Sequence, residues 1–168
     1  MAYRDNIGRA TKGPRDELVI RRYGEAVKPG QPYRLRPGVY AVLLRGNSIL
    51  TTFQAAPLPE FQLPGGGIDR GEHPIAALHR EVREETGWRI GGLRRIGAFR
   101  RFTYMPEYDL WAEKICSIYL ARPVRAISAP TEPGHSAIWL PVDQALRLLA
   151  NPGDRAMLAQ AVARTGPL

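Results

Sequence analysis

A chain of 168 residues with 44% hydrophobic and 24% charged residues can bury one sizeable core and lacks the bias of a disordered or fibrous protein. No apolar run approaches the ~20 residues that span a bilayer, and none near the N-terminus reads as a secretory signal. A single cysteine, Cys116, leaves no partner for an internal disulfide and fits a reducing cytoplasm.

The formal net charge of +8 is unevenly spread. Residues 1–45 hold ten Lys/Arg against four Asp/Glu, while residues 46–168 hold 14 against 12. A basic N-terminal third could attract nucleotides or RNA. Arginine outnumbers lysine 21 to 3, however, and no aromatic-interleaved basic stretch accompanies it, so compositional bias explains the excess better than an RNA partner does.

In chain order, residues 1–16 read as a basic, poorly ordered arm, and residues 17–168 as one domain. Residues 17–23 form a first strand and residues 24–32 a loop rich in Gly and Pro. Residues 38–45 and 48–54 pair as a hairpin through the Gly46-Asn47 turn. A proline-containing loop follows, then a short strand at 61–63. Pro64 and three glycines precede a helix expected from Pro74 to Thr86, with proline at its first position and Gly87 closing it. Gly91-Gly92 is expected to break the chain before a strand over 93–104. A turn at 105–109, a strand at 111–121, a long loop at 122–134 and a short strand at 137–140 come next. Two helices, starting at Pro141 and Asp154, end the chain. Strands mixed with helices argue an α/β fold around a mixed sheet.

The helix between the glycines and Gly87 carries Glu81, Glu84 and Glu85 near its C-terminal end, where the macrodipole favours cations. At about 100° per residue from Arg80, Glu84, Glu81 and Glu85 lie about 40°, 100° and 140° round, on one face. Leu78, Val82 and Ile75 form the neighbouring apolar stripe, so the acids border the core without joining it. Arg80 stands one turn before Glu84 and can brace the cluster. Three crowded carboxylates repel one another. They can be a solvated face with Arg–Glu pairing or a site for a divalent cation. The glycines at 65–67, which allow close backbone approach, and Glu72 favour the cation. Oxygen ligands suit Mg²⁺, with Mn²⁺ an alternative, and no Cys/His set suits zinc.

Gly66, Glu72, Arg80, Glu81, Val82, Glu84, Glu85 and Gly87 fall at the spacing of the Nudix box, and the sequence resembles the Nudix hydrolase family on that motif. Trp88 departs from it, where an aliphatic residue is usual. The resemblance implies an α/β/α sandwich with a mixed sheet. It also implies a Mg²⁺-dependent pyrophosphohydrolase that cleaves a phosphoanhydride in a nucleoside diphosphate linked to another group. Carried onto this chain, it makes Glu84 and Glu85 metal ligands, Glu81 a ligand or the base, the Gly66 carbonyl a further ligand, and Arg80 the residue that orients the glutamates. Glu132, in the loop before Trp139, is the first candidate for an additional acid, ahead of Glu113 and Glu107. Tyr104, Arg100 and His135 are candidate substrate contacts. An RNA 5′-end pyrophosphohydrolase and a non-catalytic nucleotide-binding module are the alternatives. A homodimer stays open, because many family members dimerise.

Overall fold

The computed structural model describes residues 20–165. The expected basic arm lies outside the described residues, as do residues 17–19 of the expected first strand.

The described residues form one mixed sheet of eight strands. The strands are β1 (Arg21–Arg22), β2 (Arg34–Arg45), β3 (Ser48–Gln54), β4 (Glu60–Gln62), β5 (Gly65–Gly67), β6 (Trp88–Met105), β7 (Leu110–Ala126) and β8 (His135–Pro141). The main path runs β1-β6-β7-β2-β3-β4, with β5 added to β2 and β8 to β3. The β2–β7 and β1–β6 pairs are parallel and the other pairs antiparallel. Three helices cover the sheet: α1 (Pro74–Thr86), α2 (Val142–Leu148) and α3 (Pro152–Thr165).

The period-two alternation of the strands sorts the core into two layers. Val39, Ala41, Leu43 and Leu50 pack with Ala77, Leu78 and Val82 of α1. Val42, Ile49, Phe99, Cys116 and Ile118 pack on the other face with Ala145 of α2, Leu149 just after it, and Met157, Leu158 and Ala161 of α3. This is the sandwich the sequence implied. No helix among the described residues is long and apolar enough to cross a membrane.

Helix α1 begins and ends where the sequence placed it. His73 caps it by accepting from the Ile75 N–H at 3.2 Å. Gly87 closes it at φ 73°, and a Cβ there would fall 2.0 Å from the Ser128 carbonyl oxygen, so both backbone and space require glycine.

Three expectations need correction. The Gly91-Gly92 pair does not break the chain, because β6 runs through it and absorbs the glycines in a register shift against β7. The stretch expected as a loop from 122 is still strand to Ala126, since Ile90 pairs with Pro123 across that irregularity. The glycines at 65–67, placed between the 61–63 strand and the helix with no strand of their own, likewise form one. They pair with β2, as Gly38↔Gly67, Val39↔Gly66 and Tyr40↔Gly65.

Candidate active site

The glycine strand and α1 meet at Glu81 and Glu85. A Cβ on Gly66 would lie 2.5 Å from Glu81 Oε2, so the absence of a side chain lets this carboxylate approach the backbone. Gly65 N–H donates to Glu85 Oε2 at 3.0 Å. Zipping β5 onto β2 thereby fixes the distance between the glycines and the helix.

Arg80 holds the acid face together. Its Nε and Nη2 donate to the two oxygens of Glu72, both at 2.9 Å, in a forked pair. Nη1 donates to Glu81 at 2.7 Å and to Glu84 at 3.3 Å, and Nη2 also reaches the Gly67 carbonyl at 3.2 Å. The hydrogen bonds from Arg80, then the Asp69 N–H, hold the Glu72 carboxyl down at about 2. The brace expected from the sequence is thus present and spans three acids. On the metal-ligand roles the resemblance implies for the glutamates it holds, Arg80→Met should slow turnover about 100-fold. It should lower stability by only about 1–2 kcal/mol, because these groups are partly hydrated. Arg80→Lys should rescue little, since one ammonium cannot fork across three carboxylates. Steady-state rates and thermal melts of both variants check this.

The four acids do not share one environment. Glu84 is partly exposed, whereas Glu85 is only 6% exposed. The helical-angle reading therefore placed Glu85 too far out. It is buried at the seam of β5, α1 and β8, because the short β5 closes over it. Burial pushes its carboxyl up to about 8, against the pull of the Gly65 N–H, with Glu81 and Glu132 adding repulsion. Burial also raises Glu81, opposed by Arg80 and reinforced by Glu84 and Glu132.

Glu132 comes to this face through the backbone. The Thr131 and Glu132 N–H groups donate to the Glu84 carbonyl at 2.7 and 2.9 Å, and those of Ile127 and Ser128 donate to Gly87. The loop satisfies carbonyls that the helix end leaves free, and it sets the Glu132 carboxylate beside Glu81 and Glu85.

A cleft of about 1010 Å³ is bordered by Gly66, Arg80, Glu81, Glu84, Glu85 and Glu132. Tyr104 stands at its rim, 40% exposed, with its hydroxyl on Asp109 and its ring 5.3 Å from Trp111. Glu107 also lines the cleft. Two candidates lie elsewhere. Arg100 points away from the cleft and pairs with Glu113, Nε to Oε1 at 3.0 Å, since strand alternation sends its neighbour Arg101 inward instead. His135 sits behind Glu85 with only 11% of its side chain exposed and Nε2 3.6 Å from Glu85 Oε1, so it is placed to steady that carboxyl rather than to meet a substrate.

Tyr40, Lys114, Asp154 and Arg36 also line the cleft, and the sequence reading did not single them out. Burial pushes the Tyr40 phenol up to about 12 and the Asp154 carboxyl up to about 6. Asp154 is 5% exposed and accepts from the Leu63 N–H at 3.3 Å. Lys114 carried a readable signal, because it shares the inward parity of Cys116 and Ile118 in an alternating strand.

All donors on the acid face are oxygens, which fits a hard divalent cation. Among the described residues no three His, Cys, Asp or Glu side chains already converge on one point. Arg80 holds Glu81 and Glu84, so those side chains must turn to share a cation.

The NUDIX domain profile matches residues 34–161. The chain belongs to the NUDIX family. An 8-oxo-(d)GTP phosphatase of Mycolicibacterium smegmatis is 34% identical over 106 residues, 62% of this chain and 31% of that protein. An RNA pyrophosphohydrolase of Cereibacter sphaeroides is 44% identical over 64 residues, 36% of this chain and 38% of that protein. The matched stretches span about a third to a half of the curated relatives' lengths. Among solved structures, a NUDIX hydrolase from Nitrosomonas europaea superposes with a TM-score of 0.66 at 18% identity, covering 78% of this chain and 90% of that one.

Proposed function

We propose that this protein is a Mg²⁺-dependent pyrophosphohydrolase that cleaves a phosphoanhydride bond in a nucleoside diphosphate linked to another moiety. The observation that carries it is the convergence of Glu81, Glu84, Glu85, Glu132 and the Gly66 backbone on one cleft. Glu84, Glu85 and the Gly66 carbonyl, with Glu81 available as a further ligand, would hold Mg²⁺ or Mn²⁺. The ion would supply charge neutralisation on the phosphates and a more acidic attacking water.

This chain's own residues do the rest. Arg80 sets the directions of Glu81 and Glu84. Glu81, whose affinity for a proton is raised by burial, suits the role of proton acceptor from the water. Glu132 adds negative charge where a cation must be retained. Tyr104 at the rim is placed for a base to stack on its ring. The buried free thiol of Cys116 supports a reducing, cytoplasmic setting.

A phosphate-release screen over a nucleotide panel, with and without Mg²⁺, tests the reading. Turnover should require the metal, and Glu84→Gln should reduce it at least about 100-fold while the melting curve stays cooperative. An unchanged Glu84→Gln rate would reject the assignment, and a panel without turnover would favour a nucleotide-binding module. The relative acting on RNA motivates a second reading, in which the substrate is an RNA 5′ end. Salt-insensitive binding of triphosphorylated RNA would remove it.

A further inference from the structure

The register of the sheet lines up three cations. Arg36 on β2 stands opposite Lys114 on β7, and Lys114 stands opposite Arg101 on β6. All three border the cleft that holds the acid face. Two strand spacings of about 4.8 Å make this a row roughly 10 Å wide.

Like charges directly opposed on neighbouring strands repel, and a sheet normally avoids them or pairs them off. No carboxylate lies within 4.0 Å of any of the three among the described residues. Arg36 instead lies over the Tyr108 ring at 4.9 Å, and the Lys114 ammonium is 5.6 Å from the centre of the Tyr40 ring. Of the other acids of the cleft, Asp154 is near enough to Arg101 and Lys114 for both to favour its charged form, and Glu25, Glu60 and Glu107 border the same space; among the described residues none forms a salt bridge with the row. The cluster is therefore held by the fold without a directly paired carboxylate, its mutual repulsion eased by the Tyr40 contact of Lys114 and, at longer range, by Asp154 and Glu85. Lys114 is also near enough to Glu85 to favour that carboxyl's charged form, so the row and the acid face are neighbours.

The two halves of the cleft ask for different parts of one ligand. A cation on the acid face takes the two phosphates that flank the scissile bond. In a diphosphate capped at both ends these are the only phosphates. A second positive zone needs another anionic group on the same ligand. We propose that the row Arg36–Lys114–Arg101 binds a third phosphate, so that the preferred substrates are 5′-triphosphates rather than diphosphates capped at both ends. This rests on the pyrophosphohydrolase reading for the chemistry, but not for the binding. The triphosphate can belong to a free nucleotide or to an RNA end.

Calorimetric titration in EDTA, where no turnover occurs, separates the two claims. Inorganic tripolyphosphate should bind the full chain at least about 10-fold more tightly than pyrophosphate, and Lys114→Met should weaken tripolyphosphate about 10-fold or more. Lys114→Met keeps the apolar stem and removes a repelling charge, so folding should survive. Arg36→Gln, at the outer end of the row, gives the same readout should it not. Equal affinity for the two anions, or tripolyphosphate binding indifferent to both variants, overturns the proposal. With Mg²⁺, Lys114→Met should raise KM for a nucleoside triphosphate far more than it lowers kcat. Running GTP and a 5′-triphosphorylated oligoribonucleotide side by side identifies the source, and in either case the gain in KM must appear. Tripolyphosphate binding without turnover of any nucleotide sinks the enzyme reading and leaves the row standing. Turnover of ADP-ribose with no preference for tripolyphosphate does the reverse.

Discussion

Glu85→Gln is expected to abolish Mg²⁺-dependent turnover and, at pH 7.5, to make the metal-free protein more stable. Both effects come from the burial of this carboxyl. The glutamate is 6% exposed and its proton affinity is raised to about 8, so folding is resisted by the loss of hydration of its charge. Glutamine keeps the shape and still offers an oxygen to the Gly65 N–H. It carries no charge to bury and none to give a divalent cation. Turnover should fall at least about 1000-fold, because a charged ligand is lost rather than a residue that orients one. Stability should rise by about 1–3 kcal/mol, from a carboxyl that titrates well above its unfolded value. That corresponds to roughly 2–4 °C in Tm per kcal/mol for a domain of this size. Melting in EDTA and steady-state rates with Mg²⁺ check the two halves separately. A variant that is inactive and less stable would mean that Glu85 is held charged by the fold, and that its environment is not the one described here.

The contrast between Glu84 and Glu85 shows what the amino-acid sequence made legible. The spacing from Gly66 to Gly87 located helix α1, its two ends, the shared face of the acids and the brace at Arg80, since all of these follow from local helical geometry. It could not rank the acids by burial. That ranking depends on β5 closing against β2, a pairing between residues 38–40 and 65–67 whose partner is invisible from either strand alone. Glu132 was found as an acid in a loop. The reason it reaches the site is a pair of backbone N–H groups on the Glu84 carbonyl, which no side-chain pattern encodes. Arg100 and Arg101 posed a parity question, and only the register against β7 answers it. His135 was expected as a substrate contact because the strand after the loop was drawn from 137, two residues too late. It opens β8, and its ring is buried behind Glu85. Asp154 stayed hidden because an acid in the first turn of a helix is an ordinary capping choice. Only the packing of α3 against β6 and β2 brings it to the Leu63 N–H and the cleft.

The metal-free protein should lose stability as pH rises from about 5 to 8, and Mg²⁺ should cancel that loss. Glu85 and Asp154 are raised to about 8 and about 6 from ordinary values of 4.5 and 3.8. Between those limits the folded state holds protons that the unfolded chain has released. Stability therefore falls with increasing pH, by at most about 1.4 kcal/mol per pH unit for each group while it titrates. The decline ends once Glu85 is ionised in both states. Glu72 acts in the opposite sense, but its carboxyl titrates at about 2 in the folded chain, so its contribution is complete above pH 5. The divalent cation proposed above would bind the ionised form of Glu85, so its affinity should rise over the same interval. Its stabilisation grows with the ratio of ligand to Kd and is largest at pH 8. Thermal melts from pH 5 to 9, in EDTA and in excess Mg²⁺, should give a falling curve and a flat or rising one that diverge above pH 6. Glu85→Gln should flatten the EDTA curve between pH 6 and 8, and Asp154→Asn should roughly halve its slope between pH 5 and 6, where Glu85 also contributes. A metal-free Tm that holds or climbs from pH 5 to 8 would show that neither buried carboxyl keeps its proton. The acid face would then enter catalysis already charged, with its repulsion offset by Arg80 at Glu81 and Glu84 and by Lys114 at Glu85.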